Sequence, residues 1–120
     1  MQELAQLAME IAYSLAKNGE RDSFWCWQPD MMEEYWRILP PPLRFEVEFL
    51  VAQIRKVVPV EFDFMVEFDD SGVHLWLENA DGWFYFLNDG SPFLLREELF
   101  ALLRETDWEQ IRAEKSAKGK

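Results

Sequence analysis

The sequence is 120 residues long, 49% hydrophobic and 16% aromatic, with a formal net charge of −11. So much apolar mass excludes a disordered chain and suits one domain over residues 1–120, while the negative charge would repel a phosphate backbone and disfavours direct nucleic-acid binding. No run approaches the ~18 apolar residues of a membrane span, Met1, Gln2 and Glu3 lack the basic start of an export signal, and the single Cys26 offers no internal disulfide, so the reducing cytoplasm is expected.

Leu4, Leu7, Ile11 and Leu15 recur at spacings of three and four, which predicts a helix over residues 2–18 that stops at Gly19. Residues 20–28 show no clear period. Pro29 and Asp30 open a short helical run with Met31, Met32, Tyr35 and Trp36, which Pro40, Pro41 and Pro42 end. Proline suits a first helical turn, so Pro41 or Pro42 starts a third helix through Leu43, Val47, Leu50 and Ile54, closed by Pro59. The period then changes to two, with Val60, Phe62, Phe64, Val66 and Phe68 alternating against Glu61, Asp63, Met65, Glu67 and Asp69.

Strands are expected over residues 60–69, 73–79 and 83–88, joined by the turn chemistry of Asp69-Asp70-Ser71-Gly72 and by a two-residue turn at Asp81-Gly82. Ser91 and Pro92 read as the cap and first position of a fourth helix. Thr106 with Glu109 reads as a capping box for a short fifth one, before a frayed basic tail at 112–120. The expected fold class is α+β: N-terminal helices, a three-stranded antiparallel meander and C-terminal helices, with no strand before residue 40.

Glu67, Asp69, Ser71, Gly72 and Glu78 fall at positions 1, 3, 5, 6 and 12 of a calcium-binding loop, but such a loop needs helical flanks and these flanks alternate as strands. Cys26 and His74 are the candidates for a thiol nucleophile and its base, and nothing in the spacing brings them together. The five glycines are scattered singly, which leaves no phosphate-cradling loop. No catalytic residue, metal ligand or cofactor site is therefore expected, and the chain reads as a non-enzyme.

The meander converts the sequence into a surface map. If Phe68 pairs with Val73, then Val66 faces Leu75 and Phe64 faces Leu77 on one side of the sheet. A turn at Asp81-Gly82 would set Leu77 opposite Phe86 and Asn79 opposite Phe84, continuing that core face. The other side then carries Met65, Trp76 and Leu87 abreast, with Glu67, His74 and Asp89 along one flank and Asp63, Glu78 and Tyr85 along the other. Carboxylates on either side of His74 would favour its charged form. Asp63 opposite Glu78 is repulsive unless something basic relieves it, and no Lys or Arg occurs between Val57 and Leu95.

An apolar row rimmed by acids resembles a binding centre, unless the chain's own helices cover it. The aromatic run of Phe24, Trp25, Trp27, Tyr35 and Trp36 poses the same choice between core and contact surface. These features favour an acidic protein-binding module, of adaptor, inhibitor, immunity or chaperone type, that holds a basic protein surface through this face. The alternatives are a subunit of a larger assembly, homo-oligomers included, and an inhibitor that imitates nucleic-acid charge. The last wants acids spread along an extended surface, whereas much of this acidity lies near one small sheet.

Overall fold

The computed structural model describes residues 3–17, 19, 24–79, 82–85 and 91–118. The chain runs α1 (Glu3–Lys17), β1 (Phe24–Trp27), the single turn α2 (Glu33–Trp36), α3 (Pro41–Val57), β2 (Asp63–Asp69), β3 (Gly72–Asn79), β4 (Gly82–Tyr85), α4 (Arg96–Glu105) and α5 (Trp108–Lys118). The class is α+β, with β2, β3 and β4 forming an antiparallel meander.

The sheet has one strand more than the meander. Its order is β1-β2-β3-β4, and β1 lies antiparallel to β2 with Trp25 opposite Phe68 and Trp27 opposite Val66. This corrects the expectation that nothing before residue 40 is a strand. Phe24 and Cys26 occupy one alternating set of β1 and Trp25 and Trp27 the other, so both sets are apolar and a period of two leaves no trace in the sequence.

Each helix that forms does so for a local reason. The Leu4, Leu7, Ile11 and Leu15 stripe of α1 is buried, and the helix ends where Gly19, at a φ of 83°, donates its N–H to the Ala16 carbonyl. Pro40 precedes α3 in extended conformation and Pro41 takes its first position, where a missing N–H costs nothing. At its end Arg55 Nη2 lies 3.0, 2.7 and 3.0 Å from the carbonyl oxygens of Val58, Pro59 and Phe62, tying the helix to the segment that follows it. A turn in which Phe62 N–H donates to Pro59 O delays the strand, so β2 starts at Asp63 rather than at residue 60 and Val60 is left exposed.

The C-terminal helices also start later than their local signals suggest. Ser91 and Pro92 do not cap α4, because Phe93 exchanges both backbone hydrogen bonds with Val73, at 2.7 and 3.0 Å, and lies as a bridge beside β3. Helix α4 begins at Arg96, with Glu98 Oε1 accepting the N–H groups of Leu94 and Leu95. The Leu94 carbonyl in turn accepts from Leu4 and Ala5, so it caps the first turn of α1. Asp107, not Thr106, caps α5 by accepting from Gln110 N–H, and the helix continues to Lys118 through the segment expected to fray.

One cluster of buried residues joins all of this. It holds Phe64, Val66 and Phe68 of β2, Val73, Leu75 and Leu77 of β3, Trp25 of β1, and the apolar stripes of α1, α3, α4 and α5. Each of the six β2 and β3 residues is at most 2% exposed. Burying such a side chain is worth roughly 1.5–3 kcal/mol, so a one-residue slip of β2 and β3, which would turn all six outward, forfeits on the order of 10 kcal/mol. That is comparable with a whole domain's stability, and it fixes which residues must face away.

Candidate functional site

Strand alternation leaves a second set of side chains on the side of the sheet opposite the core. Asp63 pairs with Glu78, Met65 with Trp76 and Glu67 with His74, the register that the sequence predicts. Met65, Glu67, His74, Trp76 and Glu78 are all half-buried and Asp63 is exposed, in contrast to the near-complete burial of the core face.

The third strand enters in a different register. Asn79 pairs with Gly82, so Leu77 faces Phe84, Trp76 faces Tyr85 and Glu78 faces Trp83. Each β3 residue therefore meets a β4 position two residues earlier than a turn on Asp81-Gly82 would give it, and the position abreast of Met65 and Trp76 is Tyr85 rather than Leu87. A shift of two preserves which side of the sheet each position takes, so the expected outer face survives while its third column moves. Tyr85 leaves the row of Asp63 and Glu78, where Trp83 stands instead. Leu87, Asp89 and Phe86 lie outside the described residues.

Hydrogen bonds order one flank of this face. Glu67 Oε1 accepts the Trp76 indole N–H at 3.1 Å, which fixes both side chains along the apolar row. His74 meets Asp69 rather than its cross-strand neighbour Glu67: its Nε2 lies 3.0 Å from Asp69 Oδ2, while Oδ1 accepts from Ser71 N–H, Ser71 Oγ–H and Gly72 N–H. Burial works to raise the Asp69 carboxyl, but the Ser71 hydrogen bonds and the His74 ring outweigh it and hold the group below the usual carboxylate range. Glu67 and Asp69 are thus committed to Trp76 and to the turn, with strands on both sides, and the calcium-loop spacing is incidental.

Strand β1 adds a residue that the sequence reading left unplaced. Cys26 stands opposite Glu67, which stands opposite His74, so the three share one row across three strands. Adjacent strands are about 4.8 Å apart, so two intervals separate Cys26 from His74 and leave no direct dyad. Burial and the neighbouring Glu67 charge push the thiol up to about 12, the opposite of what a nucleophile requires. No three His, Cys, Asp or Glu side chains among the described residues come together in a group that could hold a metal ion. No catalytic constellation is assembled there.

The other flank brings two carboxylates together. Asp63 and Glu78 face each other across β2 and β3, and neither forms an ion pair among the described residues. The described arginines that do pair serve other carboxylates: Arg37 lies near Glu33, Arg96 near Glu3 and Glu46, and Arg112 holds Glu61 and Glu109. Of the aromatic run before residue 40, Trp25 is core, its Nε1–H donating to Tyr35 O and its ring packed on Trp36 and Phe68, whereas Tyr35 itself is exposed.

The chain matches no protein-family model, no curated protein and no solved structure. Among the described residues, no helix is long and apolar enough to cross a membrane.

Proposed function

We propose that this protein is an acidic protein-binding module of the adaptor, inhibitor or chaperone kind, and that it holds a basic protein surface against the outer face of its sheet. The observation that carries this reading is the pairing of Asp63 with Glu78 beside the half-buried pair Met65 and Trp76. Like charges directly opposite one another destabilise a sheet, and an incoming cationic surface would relieve them. The net charge of −11 would speed the encounter, and the apolar row would set how long the complex lasts. The free thiol Cys26 suits a reducing, cytoplasmic setting.

The test is association with an immobilised synthetic peptide alternating lysine and leucine, followed by surface plasmon resonance. Binding should weaken as salt rises. Glu78→Gln should slow association, and Trp76→Ala should speed dissociation. Affinity that is equal at low and high salt, or unchanged by both substitutions, would overturn the reading.

A second reading, a subunit of a larger assembly, draws on the helices. Met9 and Tyr13 of α1 and Phe45 and Phe49 of α3 are 59%, 70%, 73% and 54% exposed, an unusual set of large apolar groups for solvent-facing helix positions. Light scattering over a range of concentrations separates a monomer from such an assembly.

A further inference from the structure

A groove of about 500 Å³ lies between α3 and the ends of β1 and β2 that face it. Its apolar surface comes from Trp27, whose ring stacks on the buried Phe64 with centroids 5.3 Å apart, and from Val51 on α3. Asp30, Glu48 and Asp63 line it as well, each exposed and none in an ion pair among the described residues. Among the described residues the one cation in its wall is Arg55, whose Nη2 is taken up by the carbonyls of Val58, Pro59 and Phe62. Three carboxylates against one guanidinium leave the groove net negative.

We infer that this groove receives an arginine side chain of the basic partner. The inference rests on the proposed protein-binding role and extends it, since Asp63 belongs both to the outer face and to the groove. The chemistry selects the occupant in three steps. The three carboxylates form no group that could share a metal ion, so a compact cation is poorly matched. An extended cation with several donors is well matched, because a planar guanidinium presents five N–H groups and can bond carboxylates on different sides at once. An aromatic ring completes the fit: a guanidinium stacks on such a face, as Arg55 does over Phe64 at 5.0 Å from the ring centroid, and the half-buried Trp27 indole offers the partner a face of its own. The methylene stem would lie against Val51 and the half-buried Trp27.

The experiment titrates the full chain with the blocked tripeptide Gly-Arg-Gly, following the indole N–H signals of Trp27 and Trp76 by NMR. The matching peptides carrying lysine and the uncharged isostere citrulline serve as controls. A saturable shift at Trp27 with the arginine peptide is expected, weaker binding of the lysine peptide, and no binding of citrulline. Glu48→Gln and Asp30→Asn should each weaken the arginine peptide by about threefold to tenfold. Both replace exposed side chains with isosteres, and Asn tolerates the φ of 58° at position 30, so the spectrum elsewhere should stay unchanged. Glu78→Gln, on the outer face, should leave this titration as it is.

Equal binding of all three peptides, or of wild type and Glu48→Gln, would overturn the inference. Shifts at Trp76 that respond to Glu78→Gln, with Trp27 silent, would leave the outer-face reading standing and remove the groove. A saturable Trp27 shift in a protein that ignores the lysine–leucine peptide would do the reverse.

Discussion

Gly72 closes the hairpin between β2 and β3, and turn chemistry alone would account for a glycine there. What excludes a larger residue is a segment distant in sequence: a Cβ at this position would stand 2.8 Å from Phe93 O and 2.9 Å from Pro92 Cβ. Phe93 cannot retreat without breaking its two hydrogen bonds to Val73. Gly72→Ala should therefore destabilise the fold by about 1–3 kcal/mol, read as a lower urea midpoint with an unchanged slope. Asp69 in the same turn carries a pH dependence. Its folded pKa is depressed, so its contribution is fully present above the unfolded value of about 3.9 and is lost as pH falls through the folded one. The stability gap between wild type and Asp69→Asn should narrow on acidification below about pH 4, and a gap constant with pH would mean the carboxylate charge is not what the turn uses. The Asp69-Ser71 turn was legible in the sequence because its partners are two and three residues away. The clash that requires Gly72 was not, because Phe93 comes from elsewhere in the chain.

The same distinction separates the elements. Helices α1 and α3 and strands β2 and β3 were legible because each has one apolar side and one polar side, and burial in a single core sorts the sides. Strand β1 was hidden by being apolar on both. The start of α4 was misplaced because Ser91-Pro92 is a sound local cap signal that the bridge from Phe93 to Val73 overrides. The outer face was mostly legible, since the register of β2 and β3 follows from the hydrophobic pattern, but its third column depended on a hairpin whose two readings differ by two residues and bury the same side. Between α3 and β2, Arg55 joins two elements by a device no period reveals: one guanidinium reaching the carbonyls of Val58, Pro59 and Phe62 and the face of Phe64. Arg55→Ala should cost about 1–3 kcal/mol, because carbonyls near a buried Val58 and Phe62 lose their donor. Arg55→Lys should recover part of this, since an ammonium is a single point of donation where the guanidinium is a fork. Chemical denaturation of the three proteins at neutral pH provides the comparison.

At the scale of the whole molecule, helices and sheet share one apolar cluster, and on the sheet's other face Asp63 and Glu78 stand opposite each other with no ion pair among the described residues. A protein selected for stability alone would gain by neutralising one of them. Asp63→Asn should therefore raise the stability of the free protein, by about 0.5 kcal/mol, because it removes the repulsion with Glu78 while keeping nearly the same shape. Salt should shrink this gain only in part. At an ionic strength near 0.15 M the screening length is about 8 Å, longer than the roughly 5 Å between directly facing Cβ atoms. The same substitution should weaken capture of the lysine–leucine peptide, mainly by slowing association. Opposite signs for folding and for binding are the signature of a charge retained for a partner. Thermal or urea unfolding of wild type and Asp63→Asn at low and at moderate salt, beside the binding rates of the same two proteins, reads both signs. If Asp63→Asn lowers stability, the carboxylate has a favourable partner within the fold, and the repulsion that argues for a basic ligand is absent.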